Sequence, residues 1–301
     1  MTHGTSGLPR LGAVVLPEYD WRETRRVWTS LEDLGLHHAW TYDHLSWRTL
    51  RDAPWFDALT TLTAVASVTR TMELGTFVTS PNFRHPVVLA KQVMTLDQVS
   101  GGRFVFGMGA GAEGADARVL GSSPLSPHER AERFAEFVEL SDLLLRQPST
   151  TYRGSYFSAV DARMIPGCAR QPRVPFALAA AGPRGLGLTA RYGQWWVTIG
   201  DPANPGGGTE SENWVILKRQ VALLQDACER ASRDVSGIRK VVSISRLVEA
   251  PYSSPERFVD LVGQCGELGF TDVVVNYPRR EGVFSGDISL FESAMQHATV
   301  H

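Results

Sequence analysis

Short apolar runs alternate with longer amphipathic segments along almost the whole chain, and this alternation constrains the fold more than any other feature. Residues 11–16 form an apolar run after Pro9 and predict a strand. Residues 21–34 carry Val27, Trp28, Leu31 and Leu34 at helical spacing and stop at Gly35, a standard helix end. The pattern then repeats. Strands are predicted at 38–42, 73–78 and 103–108, and helices at 56–69, 86–99 and 127–146. In the second half, strands are predicted at 174–180, 195–199, 240–248 and 272–276, and helices at 184–192, 213–232, 255–268 and 287–297. Residues 151–160 contain Tyr-Arg-Gly-Ser-Tyr-Phe and predict a small hairpin inserted into the series. Residues 201–212 are rich in Pro, Gly and Asn and predict a loop.

Strands that alternate with helices pair in parallel and are covered on both faces, so they read as apolar runs such as Phe104-Val105-Phe106-Gly107 and Val273-Val274-Val275-Asn276. A doubly wound open sheet and a closed barrel both satisfy that pattern. The count of about eight units favours a (β/α)8 TIM barrel with insertions. The chain has 301 residues and no composition break that would divide it, so residues 1–301 are expected to form one domain.

Several function classes are disfavoured. The formal net charge is −2, whereas a nucleic-acid surface calls for a basic face. Cys168, Cys228 and Cys265 are far apart and form no Cys-x-x-Cys pair, so neither a disulfide framework nor a metal site is expected. The opening residues lack a charged and then apolar leader pattern, and no apolar stretch reaches about 18 residues. A cytoplasmic protein without a membrane segment is the expectation.

In a barrel the chemistry sits on the loops after the strands. After the second strand come Tyr42, Asp43, His44 and, farther on, Trp47 and Trp55. His44 suits proton transfer near neutral pH, and Trp47 offers a stacking face. Asp43 would equally suit a turn cap, with His44 a half-exposed imidazole. After the third strand, residues 77–86 form a Pro-marked loop carrying Phe83, and also Arg84 and His85, which could hold an anion or bond the protein's own carboxylates. After the fourth come Gly109, Ala110 and Gly111, whose small size allows close backbone approach to a ligand. Residues 109–114 match the dinucleotide Gly-x-Gly-x-x-Gly spacing, but the next convincing helix begins near Pro127, which argues against that motif. After the fifth, Ala180-Ala181-Gly182 leads through Pro183, Arg184 and Gly185 into a helix, a ready anion site or a simple tight turn. Arg279 and Arg280 follow the last strand. Trp195 and Trp196 are adjacent on one strand, so at most one faces the barrel interior.

The stretches Leu31 to Leu45 and Leu74 to Ala112 resemble the bacterial luciferase-like superfamily, with Leu96 to Arg103 the most specific part. Residues 179–196 and 268–278 are similar to its later signatures. The resemblance implies a luciferase-like (β/α)8 barrel with an insertion, holding FMN or the 5-deazaflavin coenzyme F420 non-covalently. It implies a non-proline cis peptide between Phe77 and Val78, against which the ring packs. Deazaflavin members carry Asp-His after the second strand, which Asp43 and His44 match. By that analogy Asp43 bonds the cofactor and His44 is the acid or base. Residues Gly109 to Gly111 and Ala180 to Gly182 would line ring and tail, and Gly182 to Leu186, with Arg184 and Gly185, would cradle the phosphate. Sugar-phosphate dehydrogenases of this group carry a carboxylate at the position of Ala112. Here Glu113 stands one residue later, which argues against oxidation of a sugar phosphate.

These readings converge on an oxidoreductase that uses reduced coenzyme F420 for hydride transfer to an unsaturated C=C or C=N bond. The alternative is an FMN-dependent monooxygenase served by a partner reductase, and a third reading is a non-catalytic cofactor-binding subunit. Trp47, Trp55, Phe83, Trp196 and Arg280 are expected to line a pocket for a small organic or peptidic substrate. Residues 201–212 are a candidate lid. A homodimer is implied by analogy alone.

Overall fold

Eight parallel strands close on themselves in the computed structural model, which describes residues 7–112 and 115–300. The first half runs β1 (Arg10–Val14), α1 (Trp21–Asp33), β2 (His38–Thr41), α2 (Ala58–Ala66), β3 (Glu73–Thr76), α3 (Pro86–Ser100) and β4 (Phe104–Met108). A short helix α4 (Ala115–Val119) and a long α5 (Pro127–Arg146) follow, then the antiparallel hairpin β5 (Ser149–Arg153) and β6 (Ser158–Arg163). The second half runs β7 (Phe176–Ala179), α6 (Pro183–Tyr192), β8 (Trp195–Thr198), α7 (Glu210–Arg230), β9 (Arg239–Ser243), α8 (Pro255–Glu267), β10 (Asp272–Asn276) and α9 (Ile288–Val300). Around the barrel the order is β1, β2, β3, β4, β7, β8, β9, β10, and β10 closes on β1 with Val14 opposite Asn276. The hairpin stands outside as the insertion.

Local chemistry sets the element ends. Asp20, Asp57, Ser126, Thr209 and Ser254 each accept a backbone N–H at the start of a helix, which removes an otherwise unpaired donor. Two predicted boundaries are corrected by these caps. The helix predicted from 56 begins at Ala58 because Asp57 caps it. The loop predicted to reach residue 212 ends at Thr209, whose reciprocal bonds with Glu212 start α7. The strand predicted over 240–248 ends at Ser243, where the chain turns and Leu247 N donates to Ile244 O at 2.9 Å. The helix α4, absent from the sequence reading, directly follows the glycine-rich loop. The closed barrel still excludes a dinucleotide βαβ unit there.

Alternation along the strands builds two apolar layers. The larger lies between strands and helices, and the smaller fills the barrel with Val14, Trp40, Val105, Trp195, Val241 and Val274. In β8 the alternation sends Trp195 inward and Trp196 outward, where it stacks on Phe270 at 5.7 Å.

The N-terminal ends of four strands are tied across the barrel by a buried polar plug. His38 and Asp272 are both fully buried. Trp40 Nε1 donates to His38 Nδ1 at 2.8 Å, so His38 carries its proton on Nε2, 3.1 Å from Asp272 Oδ1. Arg239 donates to both oxygens of Asp272 and to Glu73 Oε2, and its guanidinium lies 3.5 Å from the Trp195 ring centroid. Burial works against the Asp272 charge, but the hydrogen bonds from His38 and Arg239 outweigh it and hold the carboxyl well below its ordinary range. Gly12 and Gly75 make room: a Cβ on Gly12 would stand 2.0 Å from His38 Nδ1, and one on Gly75 2.3 Å from the Trp40 ring.

Candidate active site

The opposite, C-terminal ends of the strands carry the candidate chemistry, and β2 supplies its centre. Trp40 points into the barrel, and the chain continues through Tyr42 to Asp43 and His44. Both residues leave the strand with their polar atoms engaged. His44 Nδ1 lies 2.7 Å from Asp116 Oδ2, while Asp116 Oδ1 accepts the Leu45 N–H at 2.8 Å. The Trp55 indole donates to His44 O at 2.8 Å. A carboxylate can only accept, so Nδ1 of His44 bears the proton and Nε2 remains for a reacting partner. The side chain of Asp116 is 3% exposed and that of His44 27%, so a buried anion orients a reachable imidazole.

Asp43 is fully buried, and Arg84 holds both of its oxygens, at 3.1 Å from Nε and 2.6 Å from Nη2. Arg84 also reaches Asp57 at 2.7 Å, which ties the loop after β3 to the cap of α2. Burial pushes the Asp43 carboxyl above its ordinary value, and the Arg84 guanidinium pulls against it. Asp43, which the resemblance has bond the cofactor, is thus paired within the protein first. Its oxygens are spent on positioning the loop, and Arg84 is the protein's own counter-ion.

Phe77 and Val78 are joined by the expected non-proline cis peptide. The bulge it belongs to packs against the glycine loop. Thr79 N donates to Gly107 O and Gly109 N to Thr79 O, both at 2.9 Å. A Cβ on Gly109 would stand 2.7 Å from Val78, and one on Gly111 2.5 Å from Asn82. The small residues Gly109, Ala110 and Gly111 thus let two protein loops approach each other, rather than clearing space only for a ligand. Thr79 Oγ1 is buried there and faces the Asp43 carboxylate, whose charged form it favours. Glu113 and Gly114 lie outside the described residues.

The turn after β7 differs from the other helix starts. Gly182 precedes α6 with no side-chain cap, Pro183 occupies the first position, and a Cβ on Gly182 would meet nothing within 4 Å. Arg184 is exposed and Ala180 and Ala181 half-buried beside it. Unoccupied N–H donors and the positive end of the helix suit a phosphate. Gly185 serves packing, since its Cβ would stand 2.9 Å from Ala180 Cβ. Leu186 is corrected: its side chain is fully buried in the outer core and its N–H donates to Gly182 O at 3.0 Å.

An aromatic roof covers the mouth. Trp47 stacks on Trp55 at 6.1 Å and on Phe284 at 6.2 Å, and meets Tyr42 at 5.2 Å. Phe83 lies under the Arg84 guanidinium at 4.6 Å. Two expected wall residues are corrected. Trp196 faces the helix layer and donates to Ala180 O at 2.8 Å, so it is not part of the mouth. Arg280 is exposed and its charge acts on Glu23 of α1, while Arg279 pairs with Glu18 at 2.6 Å. Gly206 of the loop before α7 packs on Arg246, which places that loop at the mouth. A cleft of about 490 Å³ opens there between the loops after β9 and β10. A larger one of about 630 Å³ lies at the other end of the barrel, where Arg173 is spent on Asp142 and backbone carbonyls. The former is the candidate site, since barrels place their chemistry on the loops after the strands.

Asp116 is the residue that sequence reasoning missed. It sits 72 positions from His44 on a five-residue helix with no periodic signal.

Among the described residues no helix is long and apolar enough to cross a membrane. A family model described as luciferase-like monooxygenase matches residues 1–253. An F420-dependent glucose-6-phosphate dehydrogenase of Amycolatopsis mediterranei is 30% identical over 71% of this chain and 61% of its own length. A 4-hydroxyprotoasukamycin monooxygenase of Streptomyces nodosus subsp. asukaensis is 31% identical over 63% of this chain and 50% of its own. The chain thus spans between half and two thirds of these relatives. Among solved structures, an F420-dependent secondary alcohol dehydrogenase in complex with an F420-acetone adduct superposes with a TM-score of 0.79 at 18% identity, over 97% of this chain and 98% of that one.

Proposed function

The chain belongs to the luciferase-like monooxygenase family, and from that premise we propose that it is an oxidoreductase using reduced coenzyme F420 to reduce an activated C=C or C=N bond of a small organic substrate. The carrying observation is the His44–Asp116 pair at the barrel mouth, 2.7 Å apart, with one imidazole nitrogen left over. When bound, the deazaflavin supplies a hydride, and the protein must then supply a proton and a geometry. His44 does so at Nε2: the positive imidazole, stabilised by Asp116, gives its Nε2 proton to the substrate atom next to the one that gains hydride. In the reverse direction the neutral ring takes that same proton back at Nε2. The uncapped start of α6, Gly182 to Gly185, would hold the cofactor phosphate, and the bulge at Phe77, Val78 and Thr79 its ring. Trp47 and Trp55 keep water from the mouth. Relatives named as F420-dependent support this reading. Ala112 stands where the sugar-phosphate dehydrogenases of the group carry a carboxylate, and Asp116 is engaged by His44 and Leu45, which keeps sugar phosphate outside the proposal despite the names of those relatives.

A second reading, an FMN-dependent monooxygenase with a partner reductase, draws on the 31% identity to the monooxygenase relative. Pairing of two chains through the early helices also remains a proposal, supported by Val88 and Val99, which are exposed on α3. Titration with F420 and with FMN, followed by anaerobic turnover of unsaturated and imine compounds with reduced F420, tests the choice. Tight binding of FMN alone, with oxygen consumption, would replace the first reading by the second.

A further inference from the structure

The cleft at the mouth contains hydrogen-bond donors without acceptors. Asn276, the last residue of β10, is 2% exposed; its amide faces the Tyr42 hydroxyl, and Nδ2 makes no other hydrogen bond among the described residues. A buried amide N–H left unpaired is costly unless something accepts from it. Arg246, just beyond β9, is half-buried in the same cleft. Its guanidinium stands 4.8 Å from the Phe284 ring centroid and 5.7 Å from that of Trp47. Among the described residues no carboxylate pairs with it. The charged or titratable groups that act on it are Tyr42 and Arg48, and burial pushes its pKa below the ordinary value. Tyr42, at the end of β2, lies beside Asn276. Two donors from two strand ends, Arg246 and Asn276, therefore line one cleft, with Tyr42 behind Asn276 and against Trp47 at the mouth.

We propose that Arg246 and Asn276, backed by Tyr42, form a subsite for a carboxylate of the substrate, so that the substrate is an organic monocarboxylate with an aromatic or flat apolar body. This rests on the reading of the mouth as the active site. The geometry favours a carboxylate over a phosphate. A planar guanidinium matches a planar carboxylate in a two-point fork, and the neutral amide adds a donor without adding charge. Glu249 and Asp287 also line the cleft, and their charges disfavour a dianion more than a monoanion. Phe284 and Trp47 provide faces for a flat ring. The unsaturated bond would then be held between the carboxylate anchor and His44, as in an α,β-unsaturated acid.

The test uses the full chain loaded with F420 and the probe 4-fluorobenzoate, followed by fluorine NMR. Wild type should bind the probe, R246M should weaken it by about tenfold or more, and R246K should fall between, the scale of a hydrogen bond to a charged partner. The neutral 4-fluorobenzyl alcohol should bind about tenfold more weakly than the acid for the same reason. Equal binding of acid and alcohol, or equal binding by wild type and R246M, overturns the subsite. Inorganic phosphate that displaces the probe at lower concentration than benzoate does overturns the carboxylate assignment. F420 affinity is read separately by visible absorbance on the same samples and should match between wild type and R246M. Loss of F420 affinity in R246M alone assigns Arg246 to the cofactor and overturns the proposal. Failure of F420 to bind wild type sinks the cofactor reading instead, while charge-selective probe binding that depends on Arg246 still supports the subsite.

Discussion

Asp116→Asn changes one atom, and the surroundings decide what that atom does. Oδ1 of Asp116 accepts from Leu45 N at 2.8 Å and Oδ2 faces His44 Nδ1 at 2.7 Å. A backbone N–H can only donate, so the amide of the variant must turn its oxygen to Leu45 and its NH2 to His44. A donor then faces Nδ1, which becomes an acceptor, and the imidazole proton moves to Nε2. The nitrogen left for the substrate has its role reversed, and the imidazolium loses its anion. A hydrogen bond to a charged group contributes about 1.5–3 kcal/mol. At 1.36 kcal/mol per decade, kcat should fall by roughly 10- to 150-fold. Nitrogen NMR of histidine-labelled protein reads the tautomer without any substrate, and kcat follows on whichever compound is turned over. F420 affinity should hold, because Asp116 touches only His44 and Leu45 among the contacts described. An unchanged tautomer, or a kcat within about twofold of wild type, refutes the assignment of His44.

Three further outcomes are expected. Asp272→Asn leaves Arg239 without its main anion, a loss of about 3–5 kcal/mol; with an unfolding entropy of about 2.1 cal/mol/K per residue, the melting temperature should fall by roughly 5–8 °C in calorimetry. Because the folded pKa of Asp272 is depressed, its contribution is complete above the unfolded value near 3.9 and fades as pH drops below it, so wild type should lose stability more steeply than D272N below about pH 4. Gly182→Asp adds a good cap to α6 at no steric cost, so the melting temperature should hold or rise while affinity for the anionic cofactor falls by about tenfold; unchanged affinity would remove α6 from the cofactor site. Gly75→Ala drives a methyl to within 2.3 Å of the Trp40 ring and should cost at least about 1–3 kcal/mol, visible as a lower urea midpoint.

The barrel was legible because period-two and period-3.6 patterns are local, and each of the eight strands carries its own. Tyr42, Asp43 and His44 were legible as a strand end. Their partners were not, because they come from distant loops. Arg84 claims Asp43 across 41 positions, and Asp116 claims His44 from a helix too short to show a period. Alternation established that Trp195 and Trp196 face opposite ways but not which faces inward. Arg239 and the plug settle that, by stacking on Trp195. Leu186 failed for a related reason: the first turn of α6 offers its N–H groups to one side and its side chains to the core on the other.

The plug and the mouth share strands and meet through Trp40, which bonds His38 on one side and packs on Phe77 on the other. His38, Glu73, Arg239 and Asp272 bind four strands together at their starts, while the loops that follow the same strands carry Tyr42, His44, Arg246 and Asn276. Directed evolution can exploit that separation. A library confined to residues 245–253 and 277–287 would explore new substrates on a frame whose fastening lies at the far end of every strand it touches. Variants that fail in such a library should fail at turnover rather than at expression, save at Val248, Tyr277 and Arg279, which belong to the core and to the Glu18 ion pair.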